Sequence, residues 1–332
     1  MKKILLGFAI FTGVLTLVAC DGNNIASESS NNEPIRIVLL PSESGSQFAI
    51  IHDYLEQLIE EATGRPGEVI TTTNNNVAIE AIAQGAADIA WLGVTSYIIA
   101  SEQNPNVRAI FTDSGESGTL DDAVYYAFIA VRYEDADDWM DGSGGFDLSG
   151  LEGSVISFVS PTSTSGFVIP GTYIVNRFDL NSLDDLATPG FFGQVNFLES
   201  HQGSAFSLIN GQSNVASFMN QESLFEHVGG PLNGVGMIYQ VREDAVAPLN
   251  QVRGERLMII HSITVPNGPF VANFDNLTQE EVDAIVEIFT SDAVAKNENF
   301  FGSNPSVVSF LPRISGNERF VPVDPSFYDD LR

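Results

Sequence analysis

Short β-branched and aliphatic runs alternate with amphipathic segments along almost the whole chain, and this alternation constrains the fold more than any other feature. Arg36–Leu40 reads as a strand, Phe48–Ala62 as a helix ended at Thr63-Gly64, and Val69–Thr72 as a second strand. Val77–Gln84 is a helix closed by Gly85, and Ile89–Gly93 a third strand. The pattern resumes with strands over Tyr125–Val131, Ser154–Val159 and Val195–Leu198, and with helices over Gly166–Phe178 and Ser204–Asn210. Interleaved strands and helices build α/β sheets covered on both faces, with ligand groups at the carboxyl ends of the strands. Leu257–Ile263 then returns the chain as a buried strand, and the amphipathic segment Thr278–Phe289 packs on the first half.

A chain of 332 residues suits two lobes better than one. The acidic, glycine-rich stretch Glu134–Gly145 marks the expected first crossing between them. Lobe one is expected over 35–127 and 258–332 and lobe two over 128–257, with two crossing segments forming a hinge. Ala78–Ala90 and Ser204–Ala216 echo one another, each running from helix through glycine and a polar turn into a buried strand.

Met1-Lys2-Lys3, the apolar run Ile4–Val18 and Ala19-Cys20 form a secretory signal, with an apolar run too short for a comfortable membrane span. Leu17-Val18-Ala19-Cys20 resembles a bacterial lipobox, in which the cysteine is lipidated and becomes the mature N-terminus. Residues 1–19 are therefore expected to be removed. Residues 20–34 should be a flexible, lipid-anchored tether, because Asp21–Pro34 is polar and without hydrophobic periodicity.

The net charge of −29, from 43 acidic and 14 basic side chains, repels nucleic-acid phosphates and argues against such partners. Cys20 is the single cysteine, which excludes an internal disulfide framework and a CxxC metal site. His52, His201, His227 and His261 show no metal-ligand spacing, and the chain has no HExxH, GxSxG or P-loop pattern. Neither a metal, a cofactor nor an enzymatic activity is expected.

Three strand-to-helix junctions carry donor-rich clusters. Ser160-Pro161-Thr162-Ser163-Thr164-Ser165-Gly166 brings four consecutive hydroxyls to a helix start, where backbone N–H groups and the helix dipole attract anions. Gly93-Val94-Thr95-Ser96-Tyr97 follows the third strand and can aim a phenol from the first helical turn. His201-Gln202 follows Val195–Leu198, where an imidazole can donate to an oxyanion.

Taken together, these junctions resemble the phosphate/phosphite/phosphonate-binding proteins of ABC importers, the PhnD-like family. The similarity rests on Gly93–Tyr97, on Pro161-x-Ser163-Thr164-Ser165-Gly166 with Pro170, on His201 with Gly211, and on Ser262–Pro266, and spans about Arg36 to Phe301. The resemblance implies a type II periplasmic-binding fold closing on a tetrahedral oxyanion held by Tyr97, Ser163, Thr164, Ser165 and His201. It also implies a monomeric lipoprotein on the outer face of the cytoplasmic membrane, partnered by a permease and an ATPase. Relatives that take aminoalkyl phosphonates use a carboxylate near the return strand. Here Pro266-Asn267-Gly268-Pro269 offers none, so phosphite, phosphate or methylphosphonate is the expected cargo.

Other readings keep the fold and change what it carries or where it delivers, as in a sulfonate or thiamine-precursor receptor, or one that feeds a sensor. A heterocycle would call for stacking aromatics, and Phe48, Trp91 and Phe270 read better as core. Acids reaching the cleft from 42–47 or 112–122 would change the specificity. A hydrolase is the reading of a different class, with no motif to support it.

Overall fold

The computed structural model describes residues 33–41, 48–304 and 309–331; the expected signal segment, Cys20 and nearly all of the expected tether lie outside them, as does the loop 42–47. No described helix is long and apolar enough to cross a membrane.

The chain opens with β1 (Ile35–Leu39), α1 (Ala49–Thr63), β2 (Gly67–Thr71), α2 (Asn75–Ala83), β3 (Ile89–Trp91), α3 (Val94–Gln103) and β4 (Val107–Asp113). It continues through β5 (Val124–Arg132), β6 (Val155–Phe158), α4 (Ile169–Phe178), α5 (Asp184–Ala187), β7 (Gln194–Phe197) and α6 (His201–Ile209). Next come β8 (Val215–Met219), β9 (Phe225–Gly229), β10 (Ile238–Val241) and the long β11 (Arg256–Pro266). The return comprises β12 (Phe270–Asn273), α7 (Gln279–Phe289), α8 (Asp292–Ala295), β13 (Phe301–Gly302), β14 (Leu311–Pro312) and β15 (Phe320–Pro322).

Two sheets result, a six-stranded one ordered β15-β4-β12-β3-β1-β2 and a seven-stranded one ordered β7-β6-β8-β5-β11-β10-β9. These are the two lobes of the expected α/β fold. Both sheets are buried on both faces, which is why their strands read as near-continuous apolar runs. Along β1, Ile35, Ile37 and Leu39 pack with the α1 and α7 side chains, whereas Val38 faces α2. Along β5, Phe128 and Ala130 pack on one side and Ile129 and Val131 on the other.

Local chemistry fixes the helix ends. Ile51, Leu55 and Ile59 recur four apart on the buried face of α1, which ends at Gly64 with φ of +71°. At α7, Thr278 and Glu281 form a reciprocal capping box. Arg65 and Glu281 meet at 2.8 Å and tie the end of α1 to the start of α7.

The first crossing falls earlier than composition suggests. β5 and β11 pair without leaving the second sheet from Arg132↔Leu257 to Val124↔Pro266. The chain therefore changes sheet between Asp113 and Val124, and again between Pro266 and Phe270. The expected boundaries near 127 and 258 lie inside this strand pair. The Glu134–Gly145 stretch begins instead with a 3-10 turn, Tyr133–Trp139, folded beside β11, with the Arg256 guanidinium 4.0 Å from the Tyr133 ring centre. Asn267 stitches the two crossings together. Its N–H donates to the Ala123 carbonyl and its Nδ2 to the Asp113 carbonyl, both at 2.9 Å.

Candidate functional site

The carboxyl end of β6 leads into the hydroxyl-rich turn. Ser163 caps it, its Oγ accepting the Gly166 N–H at 3.1 Å, and a wide turn over Thr164–Val168 runs directly into α4. The helical structure thus begins two residues before the expected Gly166. Ser163, Thr164 and Ser165 are all buried. Gly166 has to be glycine, because a Cβ there would stand 2.2 Å from Val159 Cγ2. The first-turn amides of such an element have no acceptor within it and attract negative charge.

His201 opens α6 behind the Ser200 cap, so this helix starts three residues earlier than the expected Ser204. Its Nδ1 accepts the Met219 N–H at 3.1 Å. A neutral imidazole that accepts at Nδ1 carries its proton on Nε2, which makes it a donor there. Burial pulls its pKa from 6.5 down to about 3, so the ring stays neutral across ordinary pH.

Ser163, Thr164, Ser165 and His201 line a single cavity of about 590 Å³ between the two sheets. A more open depression of about 640 Å³, bordered by Asn76, Glu80, Pro161 and Glu199, lies beside it and contains none of these four residues.

Thr164 is also engaged across the cleft. Its Oγ1 accepts the Thr95 N–H at 2.9 Å, while Ser96 Oγ donates to the Thr162 carbonyl at 3.2 Å. The start of α3, which has only Gly93 at its cap position, is thereby capped from the other lobe. A Cβ on Gly93 would stand 2.8 Å from Thr164 Oγ1, and one on Gly268 2.1 Å from the Leu92 carbonyl oxygen. Glycine at both positions permits this approach.

Tyr97 departs from expectation. It is not among the residues lining the cavity, and its ring is 1% exposed, edge-on to Tyr328 with centres 5.5 Å apart. Three residues beyond Val94, it falls on the face of α3 that packs into the first-lobe core. The tyrosines among the described residues that line the cavity are Tyr125 and Tyr126, at the start of β5, and of these the Tyr126 side chain also packs against the second-lobe core.

Two aromatics expected in the core also line the cavity. Trp91 packs against Phe310 with ring centres 4.4 Å apart and planes tilted by 45°, and donates from Nε1 to the Gly268 carbonyl; Phe48 lines the cavity as well, and Phe270 is core as expected.

No acid comes from 266–269, yet acids reach the cavity from elsewhere: Asp113, Glu116 and Asp122 from the first crossing, Glu222 after β8, and Glu318 before β15. Burial raises the Asp113 carboxyl from 3.8 to about 7. Arg313 also lines the cavity, with its guanidinium held by Glu298 at 2.8 Å. Reading Val107–Asp113 as a strand would have put Asp113 at a carboxyl end; Gln221 and Glu222 carry no comparable local signal. Among the described residues, no three His, Cys, Asp or Glu side chains gather as a metal site.

Two α/β lobes around a cleft lined by hydroxyls and helix starts define a solute receptor. The chain belongs to the family of periplasmic substrate-binding proteins of phosphonate ABC transporters, whose model matches residues 37–328. It is 22% identical to the phosphate-import protein PhnD of Mycolicibacterium smegmatis over 323 residues, 95% of this chain and 89% of that one. A binding-protein component of a Pseudomonas aeruginosa ABC phosphonate transporter superposes with a TM-score of 0.64 at 17% identity, covering 91% of this chain and 85% of the other. Prochlorococcus marinus PhnD1 in complex with methylphosphonate gives a TM-score of 0.64 at 13% identity, covering 91% and 96%.

Proposed function

We propose that this chain captures a small phosphorus oxyanion, a phosphonate, phosphite or phosphate, in the interlobe cleft and delivers it to the permease and ATPase of an ABC importer. The observation that carries the reading is the buried Ser163–Gly166 turn, sharing one cavity with the Nε2–H of a neutral His201. Neutral donors of this kind stabilise an anion at contact distance, whereas the net negative charge acts over distances that salt screens. Ser163, Ser165 and His201 serve as oxygen ligands; Thr164 contributes its amide, because its hydroxyl already accepts from Thr95.

Tyr125 or Tyr126 takes the part that the resemblance gives to Tyr97. The molecule works as a monomer without catalysing a reaction, and its two crossing segments act as the hinge. Lipid on Cys20 anchors it to the outer face of the cytoplasmic membrane, with the following residues as tether. A Cys20→Ser variant then appears free of the membrane fraction.

Calorimetric titration of the purified protein with phosphate, phosphite, methylphosphonate, 2-aminoethylphosphonate and sulfate tests the reading. Micromolar or tighter binding of one phosphorus compound, lost in Ser163→Ala/Ser165→Ala, supports it. Silence across the panel from folded protein rejects it.

A further inference from the structure

The donors of the proposed oxyanion site all come from the second lobe, Ser163 and Ser165 from the turn after β6 and His201 from the start of α6. The cavity they line is nevertheless about 590 Å³, within the roughly 300–1,000 Å³ of pockets that enclose whole organic ligands. A bare phosphate or methylphosphonate fills only a small part of that volume.

A set of first-lobe side chains brings the contrary chemistry. Phe48, Trp91, Phe301, Phe310 and Leu311 line the cavity, and all of them belong to or pack against one first-lobe core cluster. Phe301 and Phe310 are buried, whereas Phe48, Trp91 and Leu311 are half-buried. Pairing of Phe301 with Leu311 holds β14 in place, and the Phe310 ring centre lies 4.4 Å from that of Trp91. The one polar side-chain atom of the set, Trp91 Nε1, already donates to the Gly268 carbonyl.

This apolar surface lies within a substituent's reach of the hydroxyl turn. Trp91 stands two residues before Gly93, at most about 7 Å along an extended backbone, and a Cβ on Gly93 would stand 2.8 Å from Thr164 Oγ1. Alternation along the chain sets Trp91 and Gly93 on the same side, while Leu92 between them is buried in the other first-lobe cluster.

Water beside such side chains finds few partners, so an apolar group that displaces it stabilises the complex. A charged group placed there would lose its hydration without gaining a partner. Glu116, Asp122, Glu222 and Glu318 also line the cavity and oppose a second negative charge on the ligand. Arg313 does not offset them, because its guanidinium is held by Glu298 at 2.8 Å and by the Ala295 carbonyl at 2.6 Å.

Resting on the oxyanion reading above, we propose that the cargo is a phosphonate with a bulky neutral substituent, an alkyl chain or an aryl ring. Its phosphonate group is held by the second-lobe donors, and its substituent packs on Phe48, Trp91, Phe310 and Leu311 of the first lobe. Phosphate and methylphosphonate reach the donors but leave the apolar surface wet, so they bind more weakly.

Calorimetric titration of the full chain with phosphate, methylphosphonate, n-butylphosphonate, phenylphosphonate, 2-aminoethylphosphonate and phosphonoacetate tests the proposal. One buried methylene is worth roughly fourfold in affinity. The butyl or the phenyl compound should therefore bind at least tenfold more tightly than methylphosphonate, with a more negative heat capacity of binding. Phosphonoacetate should bind more weakly than either. Phe48→Ser/Leu311→Ser, which alters two half-buried positions, should cut the preference to threefold or less and leave methylphosphonate within twofold of wild type.

The proposal is overturned if methylphosphonate or 2-aminoethylphosphonate binds wild type as tightly as both bulky compounds, a result that needs no variant to fold. It is equally overturned if the double variant, folded by circular dichroism, keeps the full preference. Binding of phosphate with every phosphonate silent overturns it and leaves the oxyanion reading standing. Silence toward the whole panel rejects the oxyanion reading itself, and is thereby distinct from the other outcomes.

Discussion

Thr164 Oγ1 accepts the backbone N–H of Thr95 at 2.9 Å, so the turn after β6 caps a helix of the other lobe. Thr164→Val keeps the shape and removes the oxygen. The expected loss is about 1 kcal/mol, the usual worth of an N-cap, with Thr164→Ser retaining most of it. Urea unfolding midpoints at unchanged slope measure this; equal midpoints for Val and wild type would show that the cap contributes nothing.

His201 should make the fold acid-sensitive. Its folded pKa of about 3 lies below the ordinary 6.5, so the neutral ring's contribution is complete above 6.5 and erodes as pH falls toward 3. His201→Asn should flatten the decline in denaturant midpoint between about pH 6.5 and about pH 4. A variant as acid-sensitive as wild type contradicts the assignment.

Asp113 acts with the opposite sign. Its carboxyl titrates near 7 in the fold against 3.8 ordinarily, so the stability it contributes is present below 3.8 and lost as pH rises through about 7. Asp113→Asn without ligand should therefore raise the melting temperature more at pH 8 than at pH 5. A gain that is equal at both values would mean that Asp113 ionises normally.

Gly268→Ala should be among the costliest single-methyl additions in the chain. Its Cβ would stand 2.1 Å from the Leu92 carbonyl oxygen, which a backbone shift alone can relieve. The Gly268 carbonyl also accepts from Trp91 Nε1 and Thr112 Oγ1 at the second crossing. The expected cost is about 1–3 kcal/mol, with weakened ligand binding beside it. Thermal unfolding and titration of one preparation check both.

Salt should speed capture of an anionic ligand. At a net charge of −29 the approach is repulsive, and raising ionic strength from about 10 mM to about 150 mM shortens the screening length from about 30 Å to about 8 Å. Stopped-flow association rates should climb over that range. A rate that falls would place a basic funnel at the cleft mouth.

Much of the architecture was legible because burial on both faces of a sheet writes itself into local sequence. β1, β3, β5 and β6 read as apolar runs, and α1 and α7 as periodic faces with their own stops and caps. The hydroxyl turn and His201 were legible for a similar reason: strand ends and helix starts are local events, and their chemistry stands in adjacent residues. That much the sequence determined by itself.

Only the tertiary structure decided which of those ends meet. Strand order sets the crossings at 114–123 and 267–269, because β5 and β11 pair along their whole length across more than a hundred intervening residues. The same order brings Asp113, Tyr125, Tyr126 and Gln221 to the cavity and turns Tyr97 into the core beside Tyr328. It also engages the Thr164 hydroxyl with a partner on the other lobe. Periodicity reports how deeply a side chain is buried. Which neighbour it is buried against depends on pairings between distant segments, and those are fixed by the packing of the whole chain.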